Sequence, residues 1–114
     1  MVSGEDEGAD SLTEQQIQNE IRVAVSPWCV IFRANVGRVR TPDGRWFSTG
    51  LPAGFPDLFG VRRRDGKAVF IEVKKAGGRA SPAQERFIEF MRQTGAVAGI
   101  CYSAEEAVKL VTEE

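Results

Sequence analysis

The apolar pattern of this 114-residue chain predicts an α/β fold, a mixed central sheet flanked by helices. Three observations carry the prediction. Short apolar runs of strand length alternate with stretches of helical period. Gly and Pro punctuate the boundaries between them. An Asp-Gly pair at residues 65–66 folds two neighbouring runs into a hairpin. The length supports one compact domain, expected over residues 12–114.

Residues 1–11 are small, acidic and Gly-containing, and are expected to form a disordered leader. Ser11 or Thr13 caps a helix running to about Val25, ahead of Pro27, with Ile17, Ile21, Ala24 and Val25 along one stripe. Trp28 to Ala34 reads as a strand. Asn35 to Phe55 is rich in Gly, Arg and Pro; it reads as a hairpin-like excursion turning at Pro42-Asp43-Gly44, with a short strand near Arg45–Ser48. Strands follow at Asp57–Arg62 and Lys67–Lys74. Ser81-Pro82 opens a helix to about Thr94, where Gly95 stops it. Val97 to Tyr102 is a further strand, and Ser103-x-x-Glu106 is a capping box for a last helix to Val111. The order is α-β-β-β-α-β-α.

Composition excludes whole chemistries. The chain has no histidine, so imidazole acid/base catalysis, His-ligated zinc and Ser-His-Asp systems are absent. Carboxylates, lysine or a metal held by oxygen remain. The net charge of −1 hides an uneven distribution: residues 1–21 hold six acids and no base, whereas residues 33–79 hold eleven Lys/Arg against four acids. A basic middle of that kind suits a polyanion. Cys29 and Cys101 lie inside apolar runs without metal-ligand spacing and read as buried free thiols. No run is apolar enough to span a membrane and no signal sequence opens the chain, so a soluble, cytoplasmic protein is expected.

The most specific feature is Gly54-Phe55-Pro56-Asp57-Leu58, followed fifteen residues after the aspartate by Glu72-Val73-Lys74. Side chains alternate along a strand, so Glu72 and Lys74 share one side while Ile71 and Val73 take the other. The Asp65-Gly66 turn folds the Asp57 strand back on the Glu72 strand. Two carboxylates and an ammonium therefore converge at one sheet edge. Oxygen donors of this kind suit Mg²⁺ or Mn²⁺, with the Val73 carbonyl as a further ligand. Glu14 falls within the apolar face of the first helix, where a carboxylate is costly unless paired or bound to a cation; a favourable macrodipole interaction is the other reading. Gln84 shares a helix face with Phe87, Ile88 and Met91, and Ser81-x-x-Gln84 is also a capping box.

Gly-x-Pro-Asp-Leu, Phe-Ile-Glu-Val-Lys and Gly-Arg-x-Ser-Pro-x-Gln together resemble the VRR-NUC domain of the PD-(D/E)XK nuclease superfamily, and Glu14-x-x-Ile17-Gln18 is similar to its first helix. The resemblance spans about residues 13–112. It implies a restriction-endonuclease-like αβββαβ core and a stand-alone member of phage or bacterial type. Asp57, Glu72 and Lys74 would be the catalytic trio, Glu14 the first-helix acid and Gln84 the glutamine of the next helix. Asp57, Glu72, Val73 and Glu14 would hold Mg²⁺ or Mn²⁺. The family's minimal members imply a homodimer cutting branched DNA, four-way junctions in particular. A nuclease preferring flaps, single strands or ends, and a non-catalytic DNA-binding module of the same fold, are the alternatives.

Phosphate contacts are expected from Arg33, Asn35, Arg38 and Arg40, from the Arg62, Arg63 and Arg64 run, and from Lys75 and Arg79. Trp46 and Phe47 fit either stacking on an unpaired base or packing in a dimer interface, the latter being the favoured expectation.

Overall fold

The computed structural model describes residues 12–36 and 38–113; the expected acidic leader, residues 1–11, lies outside them. Helix α1 (Glu14–Val25) leads into β1 (Cys29–Arg33), β2 (Arg38–Arg40), β3 (Trp46–Ser48), β4 (Leu58–Arg62) and β5 (Ala68–Val73). Helix α2 (Pro82–Gln93), β6 (Val97–Cys101) and helix α3 (Ala104–Thr112) follow. The central sheet runs β1-β4-β5-β6, antiparallel except for the parallel β5–β6 pair. That parallel pair needs a crossover, which α2 supplies.

The caps explain where the helices begin. Thr13 forms the full capping box with Gln16, its Oγ1 accepting from the Gln16 amide at 3.0 Å while Gln16 Oε1 accepts from Thr13 N. Ser81 does the same with Gln84. The third box differs from expectation. Ser103 caps α3, but the Glu106 carboxylate accepts from the Tyr102 amide at 2.7 Å, so it ties the helix to the end of β6 instead.

Alternation along the strands builds two apolar layers. On one face Leu58, Val69, Ile71 and Val73 pack against Ile17, Ile21 and Val25 of α1 and Ala107 and Val111 of α3. On the other, Phe59 and Phe70 stand opposite each other in register and meet Phe55 and Phe87 edge-on, which seats α2. Cys29 and Cys101 are buried free thiols, and burial pushes the Cys101 thiol up to about 12. No helix among the described residues is long and apolar enough to cross a membrane.

The excursion between β1 and β4 holds more order than one short strand. β2 and β3 pair as a separate two-stranded sheet, Arg40 opposite Trp46. Its turn carries Gly44 at φ +89°, a backbone conformation that favours glycine. β3 lies where a short strand is expected, near Arg45–Ser48, whereas its partner β2 is not among the expected elements.

Candidate active site

Leu58 pairs with Ile71 in the antiparallel β4–β5 ladder, and one further step of that register sets Asp57 opposite Glu72. Asp57 is fixed from two sides. Its Oδ2 accepts from the Val73 amide at 2.9 Å, and its carbonyl accepts from Ala34 N at 2.8 Å. Glu72 is only 1% exposed, and its Oε2 lies 3.2 Å from Lys74 Nζ. Glu72 Oε1, buried as well, has no hydrogen-bond partner among the described residues. The alternation is as expected: Ile71 and Val73 enter the core while Glu72 and Lys74 pair on the opposite face.

The electrostatics follow from that placement. Glu72 stands at the end of the Phe55, Phe59 and Phe70 layer, so its carboxylate is stripped of water. Burial, and then the neighbouring Asp57 carboxylate, push its pKa up to about 7 against the pull of the Lys74 ammonium. Gly54, in the turn before β4, closes the arrangement against the start of α2. It has φ +90°, and a Cβ there would lie 2.6 Å from the Ala83 carbonyl oxygen, so only glycine lets this turn approach the helix start.

Two crowded carboxylates with an unsatisfied buried oxygen are a poor arrangement for a bare protein and a suitable one for a divalent cation. The donor set is all oxygen, which fits Mg²⁺ or Mn²⁺. Among the described residues no group of three or more His, Cys, Asp or Glu side chains is placed to hold a metal. A cation here would rely on one or two carboxylates and complete its shell with backbone, water or phosphate oxygen, as Mg²⁺ commonly does.

A sequence model of the VRR-NUC domain matches residues 13–105. The chain belongs to the VRR-NUC family. Among solved structures, one described as a VRR_NUC domain superposes with a TM-score of 0.59 at 25% identity, covering 86% of this chain and 92% of that one. Another, a VRR_NUC domain protein, shares the fold with a TM-score of 0.55 at 23% identity, covering 89% of this chain and 86% of its own. No curated protein matches. The site therefore lies in a nuclease-type domain.

Other expected residues of this VRR-NUC domain are distributed unevenly. Glu14 is half-buried at the start of α1, and a Cβ built on Gly78 would lie 3.7 Å from its Oε2. It meets the loop after β5 and does not join Asp57 and Glu72 in a three-carboxylate group. Gln84 is half-buried, with Oε1 engaged by the Ser81 amide at 2.8 Å. Its carboxamide oxygen completes the cap that sets α2 on Gly54. Arg33, at the end of β1 opposite Leu58, and Asn35 are exposed beside the Asp57 end of the sheet. Lys75 and Arg79 are exposed in the segment after β5. Arg38 opens β2 and Arg40 closes it, the Arg40 guanidinium lying 5.4 Å from the Trp46 ring centre.

Arg62 is a correction. It is 4% exposed and donates to the carbonyls of Val111 and Glu113 and to both carboxylate oxygens of Asp65. Burial against the end of α3 makes it a structural clamp, unable to reach a phosphate. Arg63 and Arg64 are exposed but sit at the far turn, donating to Ser26 O and Glu113 O. β4 separates them from Asp57 by about 20 Å or more at the usual strand rise.

Tyr102 was missed in the sequence. Its hydroxyl donates to the Gly78 carbonyl at 3.0 Å, and the Gly78 amide donates to Lys75 O. The loop that follows Lys74 is thus pinned from β6. A tyrosine at a strand end was the only local signal, and it does not say which loop lies within reach.

Proposed function

We propose that this VRR-NUC protein is a Mg²⁺- or Mn²⁺-dependent endonuclease that hydrolyses phosphodiester bonds in branched DNA, four-way junctions above all, working as a homodimer. The opposed Asp57 and Glu72 carboxylates, with Glu72 Oε1 unsatisfied and Lys74 paired to Glu72, carry the reading.

Asp57, Glu72 and the Val73 carbonyl would hold the cation. When bound, the cation lowers the pKa of water and polarises a phosphoryl oxygen. The Val73 amide keeps the Asp57 carboxylate oriented through its hydrogen bond. Lys74, held by Glu72, orients the attacking water and offsets charge that develops on the phosphate oxygens. The new bond joins water oxygen to phosphorus as the bond to the leaving sugar oxygen breaks. Glu14, against Gly78, would order water beside the site. Arg33, Asn35, Arg38, Arg40, Lys75 and Arg79 would hold phosphates of the backbone without reading sequence. Two copies related by a twofold would deliver the paired cuts that a junction requires.

The test is a panel of labelled substrates: a four-way junction, a flap, a fork, a single strand and a linear duplex. Each is incubated with Mg²⁺, Mn²⁺ or EDTA. Wild type is expected to cut the junction with metal only, and Asp57→Ala to cut nothing. Absence of cleavage of any DNA by the wild type with either metal overturns the proposal. Preferential cutting of the flap, single strand or duplex moves the substrate assignment.

A further inference from the structure

The β2–β3 hairpin stands apart from the central sheet, and the catalytic residues do not use it. It is rooted at the catalytic end. Its first leg leaves β1 at Arg33, and Ala34 N donates to the carbonyl of Asp57 itself. Its second leg returns through Gly54 to Asp57. Residues 38–48 carry three arginines and one acid, Asp43, whose carboxylate is occupied by Arg45 and by the Thr41 hydroxyl. Trp46 and Phe47 are 56% and 59% exposed, an unusual display of aromatic surface on a two-stranded ribbon. Adjacent in one strand, they point to opposite faces. Trp46 shares its face with Arg40, which lies over the ring, while Phe47 is opposite Val39 in the register.

We infer that the β2–β3 hairpin is a branch-sensing element of the nuclease. In this role Trp46 stacks on a base left unpaired near the branch, and Arg40 and Arg45 engage the flanking phosphates. The inference rests on the DNA reading above. Exposed aromatics interleaved with arginine match single-stranded nucleic acid, because every base has a π-face and every nucleotide a negative charge. The competing occupant, a second copy of this chain, is less well served. A stable interface draws on roughly 20–30 residues a side, and the hairpin offers the eleven residues from 38 to 48. Reach sets the position of the contact. Six residues separate Ala34 from Arg40, about 21 Å at full extension, and one strand spacing at each end adds about 10 Å, so the Trp46 face lies within about 31 Å of Asp57. At about 3.4 Å of helix axis per nucleotide, that is within about nine nucleotides of the cut.

The experiment uses a forked DNA with 2-aminopurine at an unpaired position next to the branch, in EDTA so that nothing is cleaved. Wild type is expected to quench the probe on binding. Trp46→Ala is expected to lose the quench and weaken fork binding about tenfold. Trp46→Phe should restore most of both, and Phe47→Ala should retain both. Affinity for linear duplex should be the same for all four proteins. Wild-type behaviour of Trp46→Ala overturns the inference, as does equal weakening on fork and duplex. An identical defect in Phe47→Ala also overturns it, since the ribbon would then merely have collapsed. Conversion of a dimer to a monomer by Trp46→Ala in sedimentation assigns the surface to a second copy instead. If wild type quenches the probe yet cuts no DNA with metal, the nuclease reading fails and the hairpin inference stands. If wild type cuts but Trp46→Ala quenches normally, the converse holds.

Discussion

Glu72 carries the clearest conflict between stability and function. Its folded-state pKa is raised from 4.5 to about 7, so the folded protein favours the protonated acid more than the unfolded chain does. The stabilisation this gives is complete below pH 4.5 and is lost as pH rises through 7. Urea melts of the metal-free protein should therefore show lower stability at pH 8 than at pH 5. Glu72→Gln removes the like-charge contact with Asp57 and should recover stability at pH 8, by no more than about 3 kcal/mol. The same variant should be inactive. A Glu72→Gln protein less stable than wild type at pH 8 in EDTA would mean that the loss of the Lys74 partner outweighs the relief. Lys74→Met makes the opposite change, removing the ammonium that holds Glu72 charged, and should destabilise the metal-free protein most at high pH.

Individual elements owe their placement to a few contacts that cross between them. The Arg62–Asp65 clamp ties the β4–β5 hairpin to the end of α3 through Val111 O and Glu113 O. The Arg62 guanidinium holds the Asp65 carboxyl down at about 2, from 3.8. That stability is present above pH 3.8 and is lost as pH falls through 2. Asp65→Asn should flatten the acid limb of the pH–stability profile in this range, read by far-ultraviolet circular dichroism. Arg62→Ala leaves buried partners unpaired and should cost about 2–4 kcal/mol, with DNA affinity unchanged. Gly54→Ala acts on the other face. The positive φ and the 2.6 Å approach to Ala83 O leave no room for a Cβ. Strain of this kind costs about 1–3 kcal/mol, and displacement of Asp57 should lower the cleavage rate as well. Retained wild-type melting and cleavage in Gly54→Ala would contradict that account.

For the whole molecule, the charge that matters is local. The net charge of −1 conceals a basic region whose exposed members divide: Arg33, Lys75 and Arg79 lie towards the Asp57 end of the sheet, Arg40 on the separate hairpin, and Arg63 and Arg64 at the far turn. With about four phosphates neutralised, one each at Arg33, Arg40, Lys75 and Arg79, log affinity should fall with log salt at a slope of about −4. Arg33→Ala should reduce that slope by about one, whereas Arg63→Ala, at the far turn, should leave it unchanged. Fluorescence anisotropy from 50 to 200 mM salt reads both. Sedimentation at micromolar concentration is expected to find a dimer.

How much of this is legible in one dimension depends on the range of the force involved. Strand alternation, the Asp65-Gly66 turn and the capping residues act over a few residues. The pairing of Asp57 with Glu72, and of Glu72 with Lys74, could therefore be read before any coordinates. Ser81 was readable for the same reason, Thr13 as one of two candidate caps with Ser11, and the PD-(D/E)XK spelling added the family. Arg62 was not. In sequence it belongs to a run of three arginines, and only the docking of α3, forty-nine residues away, turns it inward. Glu14 looked like a companion of Asp57 and Glu72 on its helix face, yet α1 packs so as to bring it to Gly78. Gln84 had two local explanations, and the fold uses its oxygen on the cap. Periodicity states which side chains share a face. Which neighbour that face meets, and whether a charge there finds water, a partner or neither, follows from how helices and sheet close over one another, because burial is a property of the assembled layers.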